Sequence, residues 1–178
     1  MYIPRRVLTS LALLCLLAVC GPTEAAEEQT IKMTSAWVGQ GRFIPIGDNK
    51  AFFVGAFSGI LFAENDKGQL HTGKILCPGT LELDLNEGKQ EGEGRCLIVD
   101  ADGNQVFARW TCAGVHLIEC KGRFEITGGT GRFQGITGSS DFRVRSGLAE
   151  WALGESGEGV EETAAGLAEW PALTYRIP

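Results

Sequence analysis

The chain has 178 residues, a formal net charge of −6 and six cysteines. That length suits one domain once a leader is removed. The acidic balance, with no basic run longer than Arg5-Arg6, argues against nucleic acid or an anionic membrane surface as partner, because both need several Lys and Arg on one face.

The N-terminus reads as an export signal. Arg5 and Arg6 precede an apolar run over residues 8–19, shorter than the roughly 20 apolar residues that span a bilayer. Thr23 and Ala25 then supply the small residues that precede a cut after Ala25. Residues 1–25 are expected to be a cleaved signal peptide and 26–178 a single domain, periplasmic or secreted, with no integral membrane span. Lipidation at Cys20 is the rival outcome, and the branched Val19 before it opposes that.

Residues 26–30 form a polar tail, and residues 31–38 open the sheet. Gly39, Gly41, Pro45 and Gly47-Asp48-Asn49 punctuate the chain after it. Residues 50–64 are aromatic-rich and β-prone but contain Gly55 and Gly59. A helix would lose about 1 kcal/mol at each relative to Ala, so a long bent strand is expected. After a turn at residues 65–68, residues 69–76 return as a strand. Leu81, Leu83 and Leu85 then alternate with Glu82 and Asp84, the mark of one buried and one wet face.

Residues 86–89 turn the chain and 92–99 come back. A hairpin centred near residues 87 and 88 sets Cys77 almost opposite Cys96, within reach of a disulfide. The strand at 105–112 follows an Asp-Gly turn, with Val106, Ala108 and Trp110 on one face and Phe107, Arg109 and Thr111 on the other. Residues 113–119 loop back to Cys120. An even set of cysteines in an exported chain (Cys77, Cys96, Cys112 and Cys120) reads as two disulfides. Three pairings are open to them, and hairpin geometry favours Cys77–Cys96 with Cys112–Cys120. No C-x-x-C pair exists, so no metal site is expected, nor any cofactor.

The stretch CKGRFEITGGTGRFQGITGSSDFRVR, residues 120–145, joins three β-type runs by glycine pairs, with Phe124, Phe133 and Phe142 nine residues apart. Turn signals at about ten-residue spacing along the chain argue for an all-β sandwich or barrel with little helix. In the C-terminal region Gly147-Leu148-Ala149-Glu150-Trp151 recurs as Gly166-Leu167-Ala168-Glu169-Trp170. Two copies do not make a solenoid, and residues 146–166 are expected to be a loop insertion with a helical turn at 160–165. Pro171 would then start the closing strand.

Familiar catalytic constellations are missing. Gly128-Gly129-Thr130-Gly131-Arg132 suggests a phosphate loop, but β-like residues without lysine follow it, so a tight turn with positive φ fits better. Asp100 to Asn104 starts like a calcium loop, yet Gln105 and Thr111 stand where Gly and Glu are required. Ser58 lacks a G-x-S-x-G setting. His71 and His116 are the two histidines on which any nucleophilic site would depend. The carboxylates alternate with apolar residues as on a wet face, and none is named as catalytic. Trp37, Phe53, Phe57, Trp110 and Phe124 are the aromatic residues expected to point inward. Small barrels fill with such side chains or leave room for one ligand. Arg109 and His71 are the polar residues to test as ligand contacts, with an exterior ion pair the alternative for Arg109.

At Cys120-Lys121-Gly122-Arg123-Phe124, through Gly128 to Phe133 and Gly135-Ile136-Thr137-Gly138, the chain resembles bacterial exported proteins of the allene oxide cyclase barrel-like group, itself similar to the plant dirigent proteins. Weaker matches extend to Trp110-Thr111-Cys112 and to Trp170 through Tyr175. The resemblance implies an antiparallel up-and-down barrel of about eight strands around a central cavity. It brings no catalytic residues, because the matching glycines and phenylalanines shape turns and core. Three functions remain: a barrel binding a small apolar ligand in its lumen, an isomerase or cyclase of a lipid- or terpenoid-like substrate, or an envelope interaction protein with a filled barrel.

Overall fold

The computed structural model describes residues 27–65, 67–153 and 160–178. The expected signal peptide and Cys20 lie outside them. Eight strands follow one another along the chain and around a closed antiparallel barrel: β1 (Glu28–Gly47), β2 (Lys50–Asn65), β3 (Gly68–Asp84), β4 (Lys89–Asp100), β5 (Gln105–Val115), β6 (Glu119–Gly129), β7 (Thr137–Leu153) and β8 (Val160–Arg176). β8 pairs back onto β1, from Glu28 opposite Arg176 to Phe43 opposite Val160. Closure leaves no unpaired sheet edge, which an open sheet of this length would have to protect.

Several strands run longer than their punctuation suggested. β1 continues through Gly39, Gly41 and Pro45. A Cβ on Gly39 would stand 2.6 Å from the Phe57 ring, so glycine there makes room for an aromatic side chain arriving from β2. The two strands expected over residues 69–85 are one strand, β3, with Pro78 and Gly79 inside it. Leu81 and Leu83 face inward as expected, whereas Leu85 lies past the strand end and is exposed. Residues 160–165 are strand, not helical turn.

Both copies of the repeat lie in strands, the first in β7 and the second in β8. β7 and β8 pair in this region, with Ala149 opposite Ala164 and Ser146 opposite Gly166. The stretch expected as a loop insertion is therefore largely a long hairpin arm, of which residues 154–159 lie outside the described residues. Pro171 sits within β8 beside a register shift against β1, where its missing N–H costs the ladder little.

The up-and-down path gives the barrel two ends. The β1–β2, β3–β4 and β5–β6 turns share one end, here the mouth. The start of β1, the end of β8 and the β2–β3, β4–β5 and β6–β7 links share the other, the floor. Alternation along each strand sends every second residue inside. At the floor these are Met33, Leu61, Ala63, Val106, Ile126 and Leu173, all buried. Phe133, on the short 3₁₀ turn Gly131–Phe133, packs against this layer with Ile177. Gly131 has φ +56°, which confirms the tight-turn reading of the glycine-rich segment. Asp100 braces the same end, accepting from the N–H groups of Asp102 and Asn104 and pairing with Arg132.

Both favoured disulfides are present. Cys77 and Cys96 join β3 to β4 with Cα atoms 4.1 Å apart. Cys112 and Cys120 join β5 to β6 at 5.6 Å. The second bridge is diagonal, since Cys112 lies opposite Gly122 and Cys120 opposite Gly114.

Candidate functional site

Above the floor the lumen holds a layer of aromatic rings. Trp37 meets Phe57 edge-on at 5.2 Å, and Phe57 leads to Trp110 at 6.3 Å. Trp110, Phe142, Phe124 and Trp170 continue the series, with Phe142 and Trp170 stacked at 6.1 Å. Edge-to-face contacts of this kind suit the ring quadrupole and hold each ring in one orientation. Gly94 of β4 provides the surface on which Trp110 lies, because a Cβ there would come within 2.6 Å of the indole nitrogen.

A cavity of about 90 Å³ remains among these rings, and both disulfides form part of its wall. Of the residues expected from sequence, Trp37, Phe53, Phe57, Trp110 and Phe124 all line it. His71 and Arg109 do not. His71 is exposed on β3 near the floor rim. Arg109 is on the outward face of β5, where its Nε donates to Glu125 at 2.7 Å, the exterior ion pair named as its alternative.

Three tryptophans of the cavity wall bury their indole N–H groups. Trp37, Trp110 and Trp170 are 6%, 6% and 3% exposed, and no protein atom accepts from their Nε1. A buried donor without a partner costs about 1–3 kcal/mol. Ser35, buried beside them, donates to the Ala36 carbonyl at 3.3 Å, a long bond for a hydroxyl.

Three polar residues that sequence reasoning did not choose as ligand contacts, although it weighed His116 for nucleophilic chemistry, meet at the mouth. His116, in the turn between β5 and β6, has Nδ1 2.8 Å from Gln90 Oε1 and Nε2 3.0 Å from Glu162 Oε2. Gln90 and Glu162 are each 7% exposed. The His116 ring also meets the edge of Phe43 at 5.0 Å. Its backbone N–H donates to Gly88 O at 2.8 Å, tying the β5–β6 turn to the β3–β4 turn. The β3–β4 turn is itself organised by Asp84, which accepts from the N–H groups of Glu87 and Asn86. Those two bonds hold the Asp84 carboxyl below its ordinary value.

Three proton arrangements satisfy the His116 geometry. An imidazolium donates to both oxygens, a neutral Nε2–H ring donates to Glu162 and accepts at Nδ1 from a Gln90 carboxamide turned over, or a neutral Nδ1–H ring donates to Gln90 Oε1 and accepts at Nε2 from a protonated Glu162. A His–carboxylate pair is a proton-transfer unit only when one ring nitrogen can reach the reacting group. Here both nitrogens meet protein side chains, so the cluster clasps β4, β8 and the β5–β6 turn together across the mouth. A faint signal of it was present in sequence. Gln90 shares strand parity with Gly92, Gly94 and Cys96, and Glu162 shares it with Ala164, Ala168 and Trp170.

Among the described residues no group of His, Cys, Asp and Glu is arranged to hold a metal ion. No helix there is long and apolar enough to cross a membrane.

No protein-family model and no curated protein matches the chain. Solved structures similar to it include two pterocarpan synthase dirigent proteins. One is 12% identical, with the match covering 86% of this chain and 93% of that one at a TM-score of 0.37. The other is 14% identical, covering 83% and 96%, at a TM-score of 0.33.

Proposed function

We propose that this protein is an exported, disulfide-stabilised β-barrel that holds a small, largely apolar molecule in its lumen. The observation that carries the reading is the cavity of about 90 Å³ within the aromatic layer. Interiors are otherwise packed with few voids larger than a water. Trp37, Phe53, Phe57, Trp110 and Phe124 are the contacts. Export rests on the basic and apolar leader at residues 1–25, and the paired cysteines suit an oxidising compartment.

Size limits the occupant. A dry cavity of about 150 Å³ accepts benzene, and drug-sized ligands need about 300 Å³ or more. At about 90 Å³ the lumen is smaller than either, so it suits a short branched chain, or one small ring where the half-buried Leu117 at the mouth gives way. A long lipid would have to displace the rings that line it. Binding is preferred to isomerase or cyclase chemistry because both His116 ring nitrogens are engaged by Gln90 and Glu162, leaving neither to work on a bound molecule.

The test is a titration of the mature protein with benzene, followed by calorimetry and tryptophan fluorescence. Saturable one-to-one binding is expected. The Ala164→Leu variant fills the lumen from β8 and should abolish binding while keeping the folded circular-dichroism spectrum. Absence of saturable binding to the unsubstituted protein would refute the reading.

A further inference from the structure

We infer that the β5–β6 turn is the gate of the lumen, with Leu117 as its plug and His116 as its latch; this rests on the lumen-binding reading above. Among the described residues three turns border the mouth. Those at residues 48–49 and 85–88 contribute nothing to the cavity wall, whereas the β5–β6 turn contributes both His116 and Leu117. The floor offers no comparable route, because Met33, Leu61, Val106, Ile126 and Leu173 form a buried layer there.

Leu117 is held in a conformation that leucine avoids. Its φ is +59°, in the left-handed region, where a side chain with a Cβ crowds its own backbone. Asn49 is the other non-glycine residue described there, and asparagine tolerates it. Leu117 nonetheless packs half-buried against the core and lines the cavity, while its neighbour Ile118 is 64% exposed. His116 keeps the turn in place by reaching four other elements. Its N–H donates to Gly88 O of the β3–β4 turn, its ring nitrogens meet Gln90 of β4 and Glu162 of β8, and its ring meets Phe43 of β1 edge-on. Behind the turn, Cys112–Cys120 ties β5 to β6, so the strands stay together when the tip moves. Swinging the turn outward breaks the His116 contacts, lifts Leu117 from the cavity and frees its backbone from the left-handed region. Strain in the closed form lowers the cost of opening, and the His116 contacts oppose it.

Stopped-flow tryptophan fluorescence of the mature protein mixed with benzene gives the association and dissociation rates that test the gate. Leu117→Ala removes the plug and His116→Ala the latch, and each should raise the association rate about tenfold, the equivalent of one hydrogen bond to a charged group. In His116→Ala the dissociation rate should rise in step, so that Kd stays within about threefold. A residue that only contacts the ligand would instead change affinity through dissociation. Ile118→Ala, in the same turn but facing out, should leave both rates unchanged. Where His116→Ala does not fold, Gln90→Leu removes one latch bond without touching the turn and should raise both rates by a smaller factor. If benzene binds and its association rate is unchanged in the Leu117 and latch variants, or is raised equally by Ile118→Ala, the gate falls and the lumen reading stands. If benzene does not bind, both fall.

Discussion

Floor and mouth of this barrel are built from the same alternating strands but enclose different interiors. At the floor, Met33, Leu61, Val106, Ile126 and Leu173 interlock and Phe133 packs on them from outside the strands. Toward the mouth, bulky rings stand over glycine and alanine, and planar rings meeting edge-on leave a gap of about 90 Å³. Aliphatic side chains fill irregular space, whereas rigid rings with fixed contacts do not collapse into it. The floor is therefore closely packed, and the ring layer leaves a cavity.

The largest effect that separates the two is truncation at the floor. Leu173→Ala should cost about 2–5 kcal/mol by removing packed methyl groups and leaving a void. Leu117→Ala, at the half-buried mouth, should cost less than half as much, as read by urea denaturation. Equal losses would mean that the mouth is packed as tightly as the floor.

Next come the disulfides. The loops they close span 19 and 8 residues, for which chain entropy predicts about 3 and about 2.5 kcal/mol respectively. Replacing Cys77 and Cys96 together by Ser should lower Tm slightly more than replacing Cys112 and Cys120. Only the second pair should also loosen the mouth, seen as faster amide exchange at His116.

Enlarging alanines probes the packing contrast directly. Ala108 is 1% exposed and does not line the cavity, so Ala108→Val should overpack and cost about 1–3 kcal/mol. Ala168 does line it, and Ala168→Val should be neutral or stabilising by up to about 1 kcal/mol. A reversal of these signs would put the empty space elsewhere.

Acid sensitivity at the floor follows from Asp100. Burial alone would raise its carboxyl, but hydrogen bonds from Asn104 and Asp102, with the Arg132 charge, hold it below its ordinary value of 3.8. Its folded value lies below the unfolded one, so its stabilisation is present above about pH 4 and is lost as pH falls through the folded value. Asp100→Asn should lower Tm at pH 7, with the gap from the parent closing below about pH 4. A gap that stays constant to pH 2 would remove Asp100 from this role.

The smallest effect is expected on the outer surface. Arg109→Ala breaks an exposed pair with Glu125 and should change stability by no more than about 0.5 kcal/mol. Benzene binding should be unchanged in that variant and in His71→Ala.

Local chemistry made much of this legible before any tertiary information. Alternation exposed the inward set of β3 and divided β5 into two faces without saying which was inward, Asp-Gly and Gly-Gly marked turns, and hairpin symmetry aligned Cys77 with Cys96. Glycines misled where they served close approach instead of turning, as at Gly39, Gly41 and Gly79. The repeated segment read as an insertion because its first copy pairs with residues 162–165 of the next strand, just before the second copy. Arg109 was chosen for its sequence neighbour Trp110, and adjacency in a strand sends consecutive residues to opposite faces.

By itself the sequence determined the strand class, the turns, the disulfide register and the aromatic character of the interior, since each depends on residues close in the chain or across one hairpin. Tertiary structure alone decided that Gln90, His116 and Glu162 meet, that three tryptophans line one cavity, and that space remains there. Those features depend on closing β8 against β1, which brings together residues from different hairpins. The room left inside is the small difference between a barrel's diameter and the volume of rings contributed from all around it.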